Sequence, residues 1–479
     1  ILNMACTSLI WFRKDLRIND NEALLKACKS EIVIPLFIFD KNLIEYNDIG
    51  EASHWWLENS LEELNKQLGN KLNILSGNSY EILLSLAKKY NVNKVHWNRC
   101  YESDRIELDT KIKKSLNSQD IVAKSYNSSL LWEPWTISNK TGGFYKVFTP
   151  YFKNGCMLAS SPRKPLSLEI KKNFKKIDVE DYSYIFKYLK TNKSLSWSKK
   201  FSDFWKPGER SAKLALETFL NTEAAVNYSE GRNLPAKNYV SRLSPHLHWG
   251  EISPFTVWHE AKKNMTGENK TTYLTELGWR EFSYYLMYHF PNINKDNLKE
   301  NFDQFPWVND EKLLSKWQKG ATGYPIVDAG MRELWNTGYM HNRSRMITSS
   351  FLVKNLLTHW KYGERWFHDC LLDADLASNS ASWQWVAGTG TDAAPFFRIF
   401  NPITQSQKFD TDAEYIKKYV PELKYLPKKM IFSPWRFSKN ELAAYNLELG
   451  KDYPFPIIDY EYSRKRALNA FKSFSNRNV

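Results

Sequence analysis

The stretch EIVIPLFIFD, residues 31–40, decides the fold. Its apolar core, Ile32 to Phe39, is far shorter than the roughly 20 residues that a membrane helix needs. It is rich in β-branched and aromatic side chains and is bounded by the charges of Glu31 and Asp40. That is the pattern of a strand buried on both faces. Reading outward, SLIWFR (8–13), LNILSG (72–77) and NKVHWN (93–98) repeat it. Between these runs, Leu57, Leu61, Leu64 and Leu68 recur at helical spacing, as do Ile82, Leu83, Leu86 and Tyr90. Alternating strands and helices predict an α/β domain over residues 7–130, with a parallel sheet and right-handed crossovers. No GxGxxG or Walker A loop follows the first strand, so the domain is Rossmann-like in outline without support for dinucleotide chemistry.

Past residue 130 the alternation weakens. Residues 131–205, with SSPRKPLS (160–167) and TNKSLSWSKK (191–200), read as a long connector with short helices. From 206 to 474 strand-like runs are absent, and helical periodicity broken by Pro and Gly predicts a mostly α-helical domain. A chain of 479 residues fits two domains. Its net charge of +14 points to an anionic partner, nucleic acid first. The 19 tryptophans offer ring surface for cores, and equally for stacking on flat ligands and bases. Cys6, Cys28, Cys100, Cys156 and Cys370 are scattered, with no CxxC and no His/Cys cluster. Reduced thiols in a cytoplasmic protein, with no metal site and no membrane span, are the expectation.

Within the helical part, DADLASNSASWQWVAG (373–388) crowds Asp373, Asp375, Asn379, Trp383 and Trp385 together. A flat ligand with polar edges and apolar faces would account for both the acids and the indoles. The competing explanation is that the acids cap helices or pair with Arg280 and Arg345. Trp383 and Trp385 are two apart on a helix, so they face different surroundings.

Five segments carry a resemblance: WFRKDLRINDNEAL (11–24), RLSPHLHWGEISP (242–254), ELGWREF (276–282), GYMHNRSRM (338–346) and WQWVAGTGTDAAPFFRIFNP (383–402). Together they resemble the photolyase/cryptochrome family of flavoproteins over nearly the whole chain, most closely DNA photolyases that split cyclobutane pyrimidine dimers. The resemblance implies an α/β antenna domain, a linker and a helical domain holding FAD.

By that resemblance, FAD is held by Tyr228, Ser241, Arg242, Leu243, Ser244, Arg280, Asn342, Arg345, Asp373, Asp375 and Asn379, with Asn379 beside the flavin N5. Trp383, Trp360 and Trp307 correspond to a relay that carries electrons between the flavin and the surface. Glu276, Trp279, Asn342, Met346 and Trp385 correspond to a pocket for a flipped pyrimidine dimer. By the same resemblance, Glu276, Asn342 and Met346 of this pocket, with Asn379 beside the flavin, are the catalytic residues. Arg232, Arg343 and Arg398 correspond to contacts with DNA phosphates. Val240 departs from the pattern, standing where many relatives have threonine, and Tyr273 stands where some have tryptophan. Glu102 and Lys295 match positions that contact a folate antenna, which makes 5,10-methenyltetrahydrofolate the expected second chromophore. Asn294 stands where one such pattern has cysteine.

The expected partner is DNA containing pyrimidine dimers, bound by a monomer. Two rivals share the family: a (6-4) photolyase, associated with histidine where this chain has Asn342, and a cryptochrome photoreceptor.

Overall fold

The four apolar runs form strands, and a fifth joins them. The computed structural model describes residues 6–43, 49–167, 173–178 and 197–477. In it β1 (Thr7–Phe12), β2 (Ile32–Phe39), β3 (Asn73–Ser76), β4 (Lys94–Asn98) and β5 (Val122–Tyr126) make one sheet in the order β3-β2-β1-β4-β5. All neighbouring pairs are parallel, and Leu9 lies opposite Ile34 on one side and Val95 on the other. Parallel pairing requires crossovers, which contain α1 (Glu22–Ala27), α2 (Glu51–Gln67), α3 (Ser79–Lys89) and α4 (Ser103–Asn117).

Helices on both faces leave β1 buried throughout and β2 nearly so. Leu9, Trp11, Ile34, Leu36, Val95 and Trp97 belong to one core with Leu83 and Leu86 of α3 and Ile112 and Leu116 of α4. Each such side chain contributes about 1.5–3 kcal/mol by leaving water. The strand that the apolar runs did not reveal, β5, has a single fully buried residue, Ala123, and lies at the sheet edge.

The connector is packed over its described part. Short helical turns occupy Pro134–Thr136, Phe148–Pro150, Tyr151–Gly155, Cys156–Leu158 and Ser198–Asp203. Trp132 is buried and its Nε1 donates to the Ser160 carbonyl at 3.1 Å. Phe174 forms a parallel bridge with Val33 at the start of β2. Residues 168–172 and 179–196, which include most of TNKSLSWSKK, lie outside the described residues.

Two compact units result. The first is Ile1–Val226, Ser241–Pro291 and Leu372–Asp375, and the second is Asn227–Val240, Asn292–Leu371 and Leu376–Val479. Beside the sheet, the first unit holds α5 (Glu209–Leu220), α6 (Pro254–Asn264) and α7 (Gly267–His289). The second includes α8 (Pro325–Thr337), α9 (Asn342–Ser350), α10 (Trp360–Cys370), α11 (Leu376–Ala387) and α12 (Tyr460–Arg477). Gly338, with φ of +66°, ends α8 in the left-handed conformation that glycine adopts without strain, and turns the chain toward α9. Among the described residues no strand follows β5, and no helix is long and apolar enough to cross a membrane.

Candidate functional site

In the first unit α7 presents Tyr273, Glu276, Trp279, Arg280, Glu281 and Tyr284 within three turns. Tyr284 donates its hydroxyl hydrogen to the buried Asp375 carboxylate, and His248 Nδ1 lies 3.6 Å from the same oxygen. Burial alone would push this carboxyl up; His248, Lys14 and Tyr284 outweigh burial and hold it below the usual carboxylate range. Asp375 is therefore an ionised, acceptor-only group. Asp373 accepts from Ser244 Oγ at 2.6 Å, and its own carbonyl accepts from the Asp375 N–H at 2.6 Å.

Arg280 is committed elsewhere. It donates to the Ser129 carbonyl at 2.8 Å and to Glu281 at 3.2 Å. The alternative in which Arg280 neutralises Asp373 and Asp375 is thus not the arrangement adopted. Burial pushes the Glu281 carboxyl up to about 7 against the pull of Arg280 and of the Trp132 and Leu131 N–H groups. Arg242 takes a left-handed backbone with φ of +53° while its guanidinium lies 4.1 Å over the Trp205 ring. Leu243 beside it is buried. Burial raises the Tyr273 hydroxyl to about 12, against a hydrogen bond with Ser241. Trp279 stacks on Phe148 with ring centroids 3.7 Å apart, so one face of its indole is covered. Glu276 is half-buried one turn before it.

Glu102, on the N-terminal side of α4, is not open to solvent. It is buried, pairs with Lys14, and accepts from the Tyr101 N–H at 3.1 Å through its other oxygen. Between β1 and β4 the strand order reverses, the usual place for a ligand beyond the strand ends. Here side chains fill that place. Arg13 pairs with Asp109 at 2.8 Å, and Asn98 donates to Asp15 at 2.6 Å and to Asn21 at 2.7 Å.

In the second unit α9 begins at a histidine cap. His341 Nδ1 accepts from the Arg343 N–H at 3.2 Å, so in the neutral ring the proton sits on Nε2. Burial, then Arg345, Arg343 and Arg232, push its pKa down to about 3, and the ring is neutral at working pH. Glu333 accepts from the His341 N–H at 3.0 Å and anchors this turn to α8. Asn342 and Met346 share one face, with Nδ2 and Sδ 4.0 Å apart. Arg343 donates to Asn233 at 2.6 Å and lies 4.1 Å over Phe409. Its pKa is lowered by burial and by Arg232 and Arg398, and among the described residues no carboxylate pairs with it. Arg345 donates to the Met340 carbonyl at 2.7 Å, and the Arg232 guanidinium lies 5.9 Å over Tyr228. Arg398 is exposed, as is Lys295.

On α11, Asn379 spends its amide nitrogen on Glu364, donating to the carbonyl and to Oε1 at 3.0 Å each. Its carbonyl oxygen is what it has left to offer. Trp383 is buried against Phe367 and Trp317, with centroids 4.9 and 6.2 Å away, while Trp385 is half-exposed. The two indoles occupy different environments, as their spacing requires. Trp360 is buried and donates to Asn297 at 2.7 Å. His359 lies between it and Trp307, at 5.6 and 5.1 Å respectively. Burial, then Lys361, lower His359 to about 4, so it is a neutral ring between two indoles.

Sequence reasoning missed Lys14, His248, Tyr284, Glu281, Glu364 and His359. Lys14, His248 and Glu281 fall inside the quoted motifs, where their positions could have been singled out; the others carry no local signal. Among the described residues no group of His, Cys, Asp and Glu is placed to hold a metal ion.

Residues 8–167 match the family model described as DNA photolyase, and residues 273–473 the model described as the FAD binding domain of DNA photolyase. The deoxyribodipyrimidine photo-lyase of Agrobacterium fabrum is 44% identical over 473 residues, 97% of each chain. Cryptochrome-1 of Arabidopsis thaliana is 35% identical over 97% of this chain and 70% of its own. The structure of a bacterial class III photolyase from Agrobacterium tumefaciens matches with a TM-score of 0.93 at 42% identity, covering 99% of this chain and 98% of that one. The chain belongs to the DNA photolyase and cryptochrome family.

Proposed function

We propose that this chain, acting as a monomer with bound FAD, repairs DNA by light, splitting cyclobutane pyrimidine dimers. The observation that carries the DNA reading is the arginine group beside α9. Arg343 is half-buried among like charges from Arg232 and Arg398 and lacks a carboxylate partner among the described residues. Guanidiniums gathered in this way invite phosphates, which they bind with short, charge-assisted bonds. Binding through the backbone is independent of sequence, as suits an enzyme whose lesion can lie anywhere.

The residues present suit FAD. Ionised Asp375 can accept from a ring N–H, and Asn379 can offer a carbonyl oxygen to the N5–H of a reduced flavin. Ser241, Arg242, Leu243, Ser244 and Tyr228 supply donors for phosphates, with Arg280, Arg345, Asp373 and Asn342 completing the proposed set. When bound, FAD supplies the light-excited electron that opens the cyclobutane ring and recovers it afterwards. Trp279 and Trp385 stack on the dimer once it is turned out of the helix. Glu276 hydrogen-bonds the pyrimidine edge most strongly when charge develops there. Asn342 and Met346 fill the pocket against the dimer. Trp383, Trp360 and Trp307 are assigned to electron supply, with His359 as a neutral ring in the path.

Asn342 with Met346 favours the cyclobutane reaction over (6-4) repair. A cryptochrome photoreceptor is the second reading, favoured by the likeness to the Arabidopsis protein. The antenna is proposed to be 5,10-methenyltetrahydrofolate, contacted by Glu102 and Lys295. Because Glu102 already pairs with Lys14, the pterin would have to share that carboxylate.

Blue-light reversal of dimers in ultraviolet-irradiated oligothymidine, by protein carrying about one FAD per chain, tests the reading. Loss of dimers is expected. Repair of (6-4) products instead, or FAD-loaded protein that repairs neither lesion, would sink it in favour of the respective rival.

A further inference from the structure

The backbone after α9 is irregular. Residues Phe351–Asn355 form a π-helical turn, a feature often found at functional positions. Inside it, Lys354 is 1% exposed. Its Nζ donates to the Arg398 carbonyl at 3.1 Å and lies 5.4 Å over the Phe396 ring. Phe396 belongs to a core with Phe302, Phe305, Leu357, Phe474 and Ala467. Among the described residues Lys354 forms no ion pair. An ammonium buried without an anion is costly. For packing alone, an apolar side chain of similar length would serve better.

What the amine holds is the segment from 388 to 401, which has neither helix nor strand. Two backbone bonds help tie it, Ala394 N–H to the Trp385 carbonyl at 3.0 Å and Arg398 N–H to the Pro395 carbonyl at 2.9 Å. The segment presents Phe397, 62% exposed, and the exposed Arg398. We propose that Lys354 is a positioning residue for nucleic-acid binding: by fixing the Arg398 carbonyl it sets where Phe397 and Arg398 meet a DNA strand. The inference rests on the DNA-binding reading given above.

A merely structural lysine would not report on DNA, whereas the proposal requires that Lys354 does. Burial, then the Arg398 guanidinium, lower its pKa to about 7. From the other elements packed here, Arg466 of α12 donates to the Asn355 carbonyl at 2.7 Å and Asp303 accepts from Asn297 at 2.6 Å. On the loop itself, Asp392 acts on Lys299. A phosphate that neutralises Arg398 removes repulsion from Lys354 and raises its pKa, so binding takes up a proton. By linkage, affinity must then fall as pH rises through the neutral range.

The test uses the full-length, FAD-loaded protein and an ultraviolet-irradiated oligothymidine, with affinities measured at pH 6.5 and 8.5. Calorimetry in two buffers of different ionisation heat counts protons. Wild type should take up protons on binding, and Lys354→Met should bind roughly tenfold more weakly at pH 6.5, the loss of one charge-assisted bond. Its affinity should change less with pH. Lys354→Gln keeps a donor for the carbonyl but cannot titrate; it should recover most of the affinity and none of the proton uptake. Equal binding by wild type and Lys354→Met at both pH values, or wild-type binding with no proton uptake, overturns the proposal and leaves DNA binding standing. No binding by wild type overturns both.

Discussion

Gly363→Ala asks whether Trp383 is seated as the packing requires. Gly363 lies on α10 with the Trp383 indole against its bare backbone. An added Cβ would lie 2.1 and 2.5 Å from two Trp383 ring carbons and 2.7 Å from Leu352 Cδ2. Carbon atoms rest about 3.5–4.0 Å apart, so the indole must retreat by more than about 1 Å. It has little room, because Phe367 and Trp317 flank it and Trp317 is itself tied to the Thr348 carbonyl at 3.0 Å. Overpacking of this kind costs about 1–3 kcal/mol, and the upper end applies to so large a shift. Alanine returns about 1 kcal/mol of helix propensity, for a net loss of about 2 kcal/mol. A unit of this size should melt about 4–8 °C lower. The assay pairs a thermal melt with the rate of flavin photoreduction under blue light, which should slow as Trp383 is displaced. Trp383→Phe in the same chain removes the two indole contacts, though not the Leu352 one, and should cost less beside Gly363→Ala than it does alone, a non-additivity that marks direct contact. A variant that melts and photoreduces like wild type would refute the packing argument.

Further outcomes follow from the geometry of the two units. Trp383→Phe alone should block photoreduction of oxidised flavin and leave repair by pre-reduced enzyme nearly intact; equal loss of both would show the indole misassigned. Glu276→Ala should lower repair yield per bound dimer more than DNA affinity, since its bond strengthens in the reacting state; the reverse pattern would make it an anchor only. Glu281→Gln should gain about 3 kcal/mol relative to wild type as pH rises from 4.5 to 7, read from denaturation midpoints. Here the acid's pKa is raised from 4.5 to about 7, so the folded wild type holds a proton that the unfolded chain has lost; a flat difference would contradict this. Glu102→Ala breaks a buried pair and should destabilise the first unit by about 3–5 kcal/mol with or without folate. In wild type, folate reconstitution should add a near-ultraviolet band, and deazaflavin binding in its place would overturn the antenna assignment.

The strands were legible because a parallel sheet covered on both sides demands unbroken apolar runs, and β1, β2 and β4 supply them. β5 was not, because an edge strand with only Ala123 fully buried can afford Lys124 and Ser125 and so has no run to find. The motif residues were legible through their spacing against a known family. Their protonation was not. Whether Asp375 is ionised depends on Tyr284, 91 positions away along the chain, and on Lys14 and His248 at greater separations. No periodicity connects such residues, and only folding brings them to one carboxylate.

Lys14 shows what that long-range assembly does to a residue-by-residue reading. From its place after β1 it pairs with Glu102 and also lowers the Asp375 carboxyl. Its single charge thus serves both the proposed antenna glutamate and the proposed flavin aspartate. Removing Glu102 leaves Lys14 free of one anion and strengthens its pull on the other, whether or not folate ever binds. A change in flavin behaviour on losing Glu102 would therefore follow from electrostatics inside the first unit alone. Only a loss of energy transfer in Glu102→Asp, with flavin properties unchanged, assigns the antenna to that residue, because aspartate keeps the charge that Lys14 answers while drawing the carboxylate back from the pterin.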